Sequence, residues 1–386
     1  MNSSMEVHLH GINIHGETMN MILVWSVALS SILFCNKIST LIAPGTTRLC
    51  AFLPVFCIFF YLPLRLTTVH FSGTTSFFIT WLANFKLLLF AFDKGPLFSD
   101  PPLPLYKFIL SACVPIKISE NGNKSSLEAS KSGESGESRP NGRRSESRSE
   151  KKRNKSPVNY SVKFMVFVLL LNLYNYADHF NPLIKMALFC VHIYVVLDVG
   201  LAIVAYLARA IVGFELEPQF DEPYLATSLQ DFWGKRWNLM VTGVLHPTVY
   251  LPVRSLSGRY LPKKVAPLPA VMASFIVSGL MHELIFYYLG RLKPTWEVTW
   301  FFVLHGALVG LEVVVKRQVN GRFRLPAVVS GPAALCLVMA TSFWLFFPPF
   351  LRCETELRSC KEFVAFMDLL VHGRFVGAND VSCPYF

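Results

Sequence analysis

Charge is what this sequence has least of. Only 16% of its 386 residues are Asp, Glu, Lys or Arg, whereas a soluble domain carries about 25%. Several compact chemical signatures are missing as well. The nine cysteines contain no CxxC, which argues against a zinc ribbon or a thioredoxin-like centre. No GxSxG occurs, so a serine-hydrolase elbow is excluded. A P-loop and a dinucleotide fingerprint are absent. His282-Glu283 opens an HExxH pattern, but Phe286 takes the fifth position, so the second zincin ligand is lacking. The N-terminus has no basic n-region, and Met21–Cys35 lacks a clear small-residue cleavage site. That run is expected to be a retained helix rather than a signal peptide. His8, His10 and His15 read as part of a floppy polar tail, not as a metal site.

What is present is apolar length. Leu325–Leu351 carries no charged residue over 27 positions, and a helix crosses the hydrocarbon core in roughly 20. Further apolar runs fall at Met21–Cys35, Leu49–Leu66, Phe77–Phe92, Tyr160–Tyr176, Leu183–Ile211, Val265–Gly290 and Trp296–Val315. Leu103–Ile118 is shorter and fits either a span or a re-entrant piece. The expected fold is an all-α polytopic membrane protein of about eight to nine transmembrane helices, with interfacial and re-entrant segments.

The formal net charge of +11 does not point to nucleic acid. The basic residues flank the apolar runs, where the positive-inside rule places them. Ser119–Asn159 is polar, nearly free of large apolar residues and +4 in charge. It is expected to be a disordered cytosolic loop. It separates N-terminal helices (1–118) from a core segment (160–350), followed by a tail (351–386), all within one membrane domain. The basic stretches Arg254–Lys264 and Lys316–Arg324 are separated by two spans and therefore share one side. The last span sends Cys353, Cys360 and Cys383 to the opposite, lumenal side, where one bridge among the three or none at all remains open.

Several polar residues sit inside apolar runs. Lys86 is expected to snorkel to an interface. Asp198 is expected to satisfy a neighbouring helix; six residues from His192, it shares no helix face with it. His305 is expected to be structural. His282 lies deep in its run with Glu283 beside it and Ser278 one turn back. Position leaves it open between an inter-helix hydrogen-bonding group and a proton carrier. Upstream, Thr227/Gln230 and Ser228/Asp231 have capping-box spacing. Phe232, Trp233, Arg236, Trp237 and Met240 recur at helical intervals, predicting an amphipathic helix in the membrane interface. Leu239–Leu251, with Pro247, is predicted to be re-entrant. Asn238 would then enter a buried site from the cytosolic face.

The stretches PQFDEPYLATSLQDFWGKRWNLMV (Pro218–Val241) and VSGLMHELIFYYLGR (Val277–Arg291) resemble the plant wax synthase group of the membrane-bound O-acyltransferase superfamily. WLANFKLLLFAFDKGPL (Trp81–Leu97) and WEVTWFFVLHG (Trp296–Gly306) are similar too. The resemblance covers most of Leu62–Phe350 apart from the charged loop. The long loop and the Cys-bearing tail depart from the pattern without touching its motifs. The resemblance implies an intramembrane tunnel in the endoplasmic reticulum and acyl transfer from acyl-CoA to a lipid hydroxyl, with no other cofactor. It implies His282 as general base and Asn238 as a hydrogen-bonding partner. For such a reaction acyl-CoA contacts are expected at Trp233, Lys235, Arg236, Trp237 and Arg254, the cations by charge alone. The expected acceptor is a long-chain fatty alcohol, giving a wax ester, with a sterol as the close alternative. A membrane transporter or lipid-binding protein using His282 and Asp198 is the rival of another class. Assembly into a homo-oligomer is left open.

Overall fold

The computed structural model describes residues 14–114, 157–176, 179–212, 219–319, 325–374, 376–377 and 380–383. Every regular element among them is helical. The expected charged loop lies almost wholly outside these residues, as do His8 and His10. Among the described residues, six helices are long and apolar enough to cross a membrane: Gly16–Leu41, Thr46–Arg65, Pro182–Val204, Pro267–Gly290, Glu297–Val319 and Ala327–Arg352. Two further helical stretches fall where spans were expected. Val69–Phe90 is continuous through a π-helical stretch at Ser76–Ala83, and Pro157–Tyr174 is apolar. The chain forms two compact units, Lys117–Leu216 and the remainder. The boundary at Leu216–Glu217 falls inside the expected core segment.

In the smaller unit, Lys163 meets Asp198 at 2.5 Å across the helices Pro157–Tyr174 and Pro182–Val212. Both are buried. Asp198 thus satisfies a neighbouring helix, as expected. A lone buried carboxylate is costly in an apolar setting, and a paired one far less so.

In the larger unit, polar contacts sort into two ends. Arg317, at the end of the helix Glu297–Val319, donates to the Lys264 carbonyl. The two basic loops therefore do lie on one side. At the other end Arg352 pairs with Glu297, and Arg358 donates to the Leu289 carbonyl at 2.6 Å. There the tail helix Thr355–His372 begins. Cys360 and Cys383 form the bridge, while Cys353 is free and buried.

Several local expectations need correction. Lys86 does not snorkel. It is 2% exposed, and its ammonium donates to the Ser111 and Val114 carbonyls at 2.6 and 2.7 Å. These carbonyls close the helix Leu105–Cys113, so Lys86 supplies the cation that such an end favours. That helix has only nine residues, about 14 Å of rise, too short to span. Leu239–Leu251 is not a reversing segment. Leu239–Leu245, a π turn at His246–Tyr250 and Leu251–Tyr260 form one continuous helical run. The π turn falls at Pro247, which cannot donate to the preceding turn.

Candidate functional site

The helices Pro267–Gly290 and Glu297–Val319 pack closely because two glycines allow it. A Cβ on Gly279 would lie 3.0 Å from the Thr299 Cα, and one on Gly306 would lie 3.0 Å from the Phe275 Cβ. This contact brings Phe302 onto the imidazole of His282, stacked at 4.5 Å. Trp81 meets the same ring edge-on at 5.1 Å, and Phe346 stands 5.8 Å away. The histidine sits in an aromatic cage and is half-buried.

One hydrogen bond fixes the ring's chemistry. His282 Nδ1 lies 2.8 Å from the Ser278 carbonyl oxygen. A carbonyl only accepts, so Nδ1 carries the proton. In the neutral ring Nε2 is then the lone-pair nitrogen. No hydrogen bond within the protein occupies it among the described residues.

His305, one helix over, is the reverse case. It is 0% exposed. Trp233 Nε1–H donates to its Nδ1 at 3.0 Å. Nε2 therefore holds the proton and donates to Thr341 Oγ1 at 2.9 Å. Thr341 passes its own hydrogen bond to the Leu337 carbonyl at 2.7 Å. Both nitrogens are used, so His305 is structural, as expected.

The segment before Asn238 runs inward from the basic side. Lys316 donates to Ser228 Oγ at 3.1 Å, and Trp233, five residues on, reaches His305. Ser228 Oγ accepts from the Asp231 N–H at 3.2 Å, so the Ser228/Asp231 cap forms. The Thr227/Gln230 cap does not, because the Gln230 N–H goes to Glu312 instead. The amphipathic helix expected to continue from there is broken. Phe232–Arg236 is a π turn, Trp237 is extended, and Asn238 adopts φ 42°, ψ 62°. Asparagine tolerates this left-handed conformation better than other side chains do. It also starts the next helix, its Oδ1 accepting from the Val241 N–H at 3.3 Å. With the carbonyl spent on the cap, the Asn238 amide N–H groups remain to donate to a ligand. Val241 and Leu245 of that helix pack with Met281 and Trp81. The turn that Asn238 caps thus abuts the turn that carries His282.

The expected acyl-CoA residues divide. Arg236 is held inside the protein by Asp231 at 2.7 Å and by the Asp221 and Glu222 carbonyls at 3.1 and 3.3 Å. Burial raises the Asp231 carboxyl pKa, but the hydrogen bonds from Arg236 and the Thr227 N–H, with the charges of Arg236 and Lys235, outweigh this and hold it below its ordinary value. Trp233 is committed to His305, and Trp237 stacks on Phe232 at 5.4 Å. Lys235 and Arg254 are exposed, with Arg254 over the Tyr250 ring at 6.0 Å. Sequence reasoning missed Trp81. It is 0% exposed, and its Nε1–H has no partner among the described residues. The buried Asn84 Oδ1, three residues on, has none either. An unmade buried hydrogen bond costs about 1–3 kcal/mol. The only sequence signal was an indole next to a polar residue in an apolar run.

Fold and site together define a polytopic helical membrane protein that holds, inside a span, an imidazole tied to the protein through Nδ1 alone. Residues 216–304 match the model of the membrane bound O-acyl transferase family. Acyl-CoA–sterol O-acyltransferase 1 of Arabidopsis thaliana is 41% identical over 88% of this chain and 93% of its own. The Arabidopsis protein named probable long-chain-alcohol O-fatty-acyltransferase 1 is 43% identical over 91% and 96%. The long-chain-alcohol O-fatty-acyltransferase of Simmondsia chinensis is 40% identical over 88% and 92%. The chain belongs to the membrane-bound O-acyltransferase family.

Proposed function

We propose that this enzyme transfers a fatty acyl group from acyl-CoA to the hydroxyl of a long-chain alcohol, making a wax ester. The observation that carries the chemistry is the free Nε2 of His282, fixed as the acceptor by the Nδ1–Ser278 hydrogen bond. Nε2 takes the proton of the acceptor hydroxyl as its oxygen attacks the thioester carbon. The carbonyl π pair moves onto oxygen, and the Asn238 amide donates to that oxyanion. Collapse expels the CoA sulfur, which leaves as the thiol with the proton returned from Nε2. No covalent enzyme intermediate is needed, because the thioester is already activated. The aromatic cage keeps water away from the thioester. Lys235 and Arg254 are exposed and available to CoA phosphates.

The long-chain alcohol is favoured over a sterol because two of the three relatives above carry that name. The relative named for sterols supports the second reading. A proton-relay transporter is disfavoured, because Asp198 is already paired with Lys163. We place the enzyme in the endoplasmic reticulum membrane, where an oxidising lumen permits the Cys360–Cys383 bridge. The test is expression in microsomes with labelled acyl-CoA and separate arms of long-chain alcohol, sterol and diacylglycerol. Labelled wax ester is the expected product. Sterol ester alone would move the assignment to the second reading, and no ester in any arm would reject both.

A further inference from the structure

We propose that Trp81 is a catalytic residue, its indole N–H being a second donor to the acyl carbonyl oxygen alongside Asn238. The proposal rests on the acyl-transfer reading above. Three observations converge on it. Trp81 sits between the two residues of that reading: its ring meets His282 at 5.1 Å, and it packs with Val241 and Leu245 of the helix capped by Asn238. Its Nε1–H is buried and unpartnered. Two other indoles in the protein are not left so, since Trp25 donates to Thr75 at 3.3 Å and Trp233 to His305 at 3.0 Å. Finally, Trp81 lies within the π-helical stretch Ser76–Ala83. Such stretches interrupt the regular ladder, which keeps them rare, and they occur often at functional sites.

An indole N–H can only donate. It therefore suits an oxygen that gains negative charge, not the acceptor hydroxyl that must give up its proton to His282. As the alcohol oxygen bonds to the thioester carbon, the π pair moves to the carbonyl oxygen. Trp81 Nε1–H and the Asn238 amide would each donate one hydrogen bond to it. When the carbon–sulfur bond breaks, the pair returns and both bonds weaken. Donors aimed at developing charge act on the transition state more than on bound substrate.

The test is Trp81→Phe, which keeps an aromatic ring against His282 and removes the donor, with thermal melting recorded beside the assay because the smaller ring also leaves a cavity. The expected result is a loss of kcat of roughly 10²–10³-fold with KM changed less than about threefold. An unchanged kcat in folded Trp81→Phe enzyme, in a preparation where His282→Ala is inactive, overturns the donor role and leaves the acyl-transfer reading standing. Activity retained by His282→Ala overturns that reading itself. Should the variant not fold, the wild-type enzyme with 15N-labelled tryptophan decides. On adding an acyl-CoA analogue with methylene in place of the thioester sulfur, one buried indole N–H resonance should shift downfield. No shift in any indole overturns the proposal.

Discussion

His282 and His305 lie on neighbouring spans, and each is surrounded by aromatic rings. Phe302 stacks on the first at 4.5 Å, and Phe301 lies 4.4 Å from the second. They differ in what their nitrogens do. Both nitrogens of His305 are consumed, by Trp233 and Thr341. Only Nδ1 of His282 is, by its own helix. An imidazole hydrogen-bonded within the protein at both ends holds helices together and has no lone pair left over for a substrate hydroxyl. One tied at a single nitrogen is oriented and still has a base to offer. The hydrogen-bond count, not depth in the membrane, separates the two histidines.

His282→Ala should lower turnover by about 10²–10⁴-fold while the protein stays inserted and abundant, as read by ester formation per purified molecule. Asn238→Ala should lose about 10²–10³-fold. It should also cost about 1 kcal/mol through the missing helix cap, so thermal melting must be recorded beside the assay. His305→Ala should show the opposite balance. It orphans the Trp233 N–H and opens a cavity, destabilising the protein by about 3 kcal/mol, with turnover per folded molecule within about tenfold of wild type. Replacing Cys360 and Cys383 together with Ser removes a bridge of sequence separation 23. It should loosen the tail by about 3 kcal/mol and leave ester formation nearly intact. Deleting Gly122 to Arg153 should change activity least, since that segment has little apolar surface to pack.

Much of this was legible in the sequence, for identifiable reasons. Apolar length gave the spans, and charge gave the shared side of the two basic loops, which the Arg317–Lys264 contact bears out. The Ser228 cap was readable because a cap is local. Other features were not local. Lys86 looked like a snorkelling residue because its partners, Ser111 and Val114, come from a helix about 25 residues downstream. Arg48 drew no attention, yet it is buried and ties Ile42, Phe90 and Asp93 together. The helix drawn through Phe232–Met240 failed because periodicity ignores backbone sign. Asn238 at φ 42° ends one turn and starts the next. Sequence could nominate His282, but only the Ser278 carbonyl decides which of its nitrogens is free. The partner of Cys360 was equally beyond reach, because three tail cysteines left the pairing undetermined.

The most direct test reads the two tautomers. With 15N-histidine-labelled enzyme in membranes, and His282→Ala and His305→Ala used for assignment, the side-chain nitrogens of both rings can be measured at neutral pH. Opposite tautomers are expected: His282 protonated on Nδ1 with a bare Nε2, and His305 protonated on Nε2 with Nδ1 accepting. A His282 ring protonated on Nε2 would leave it no base to present to the acceptor hydroxyl and would contradict the account.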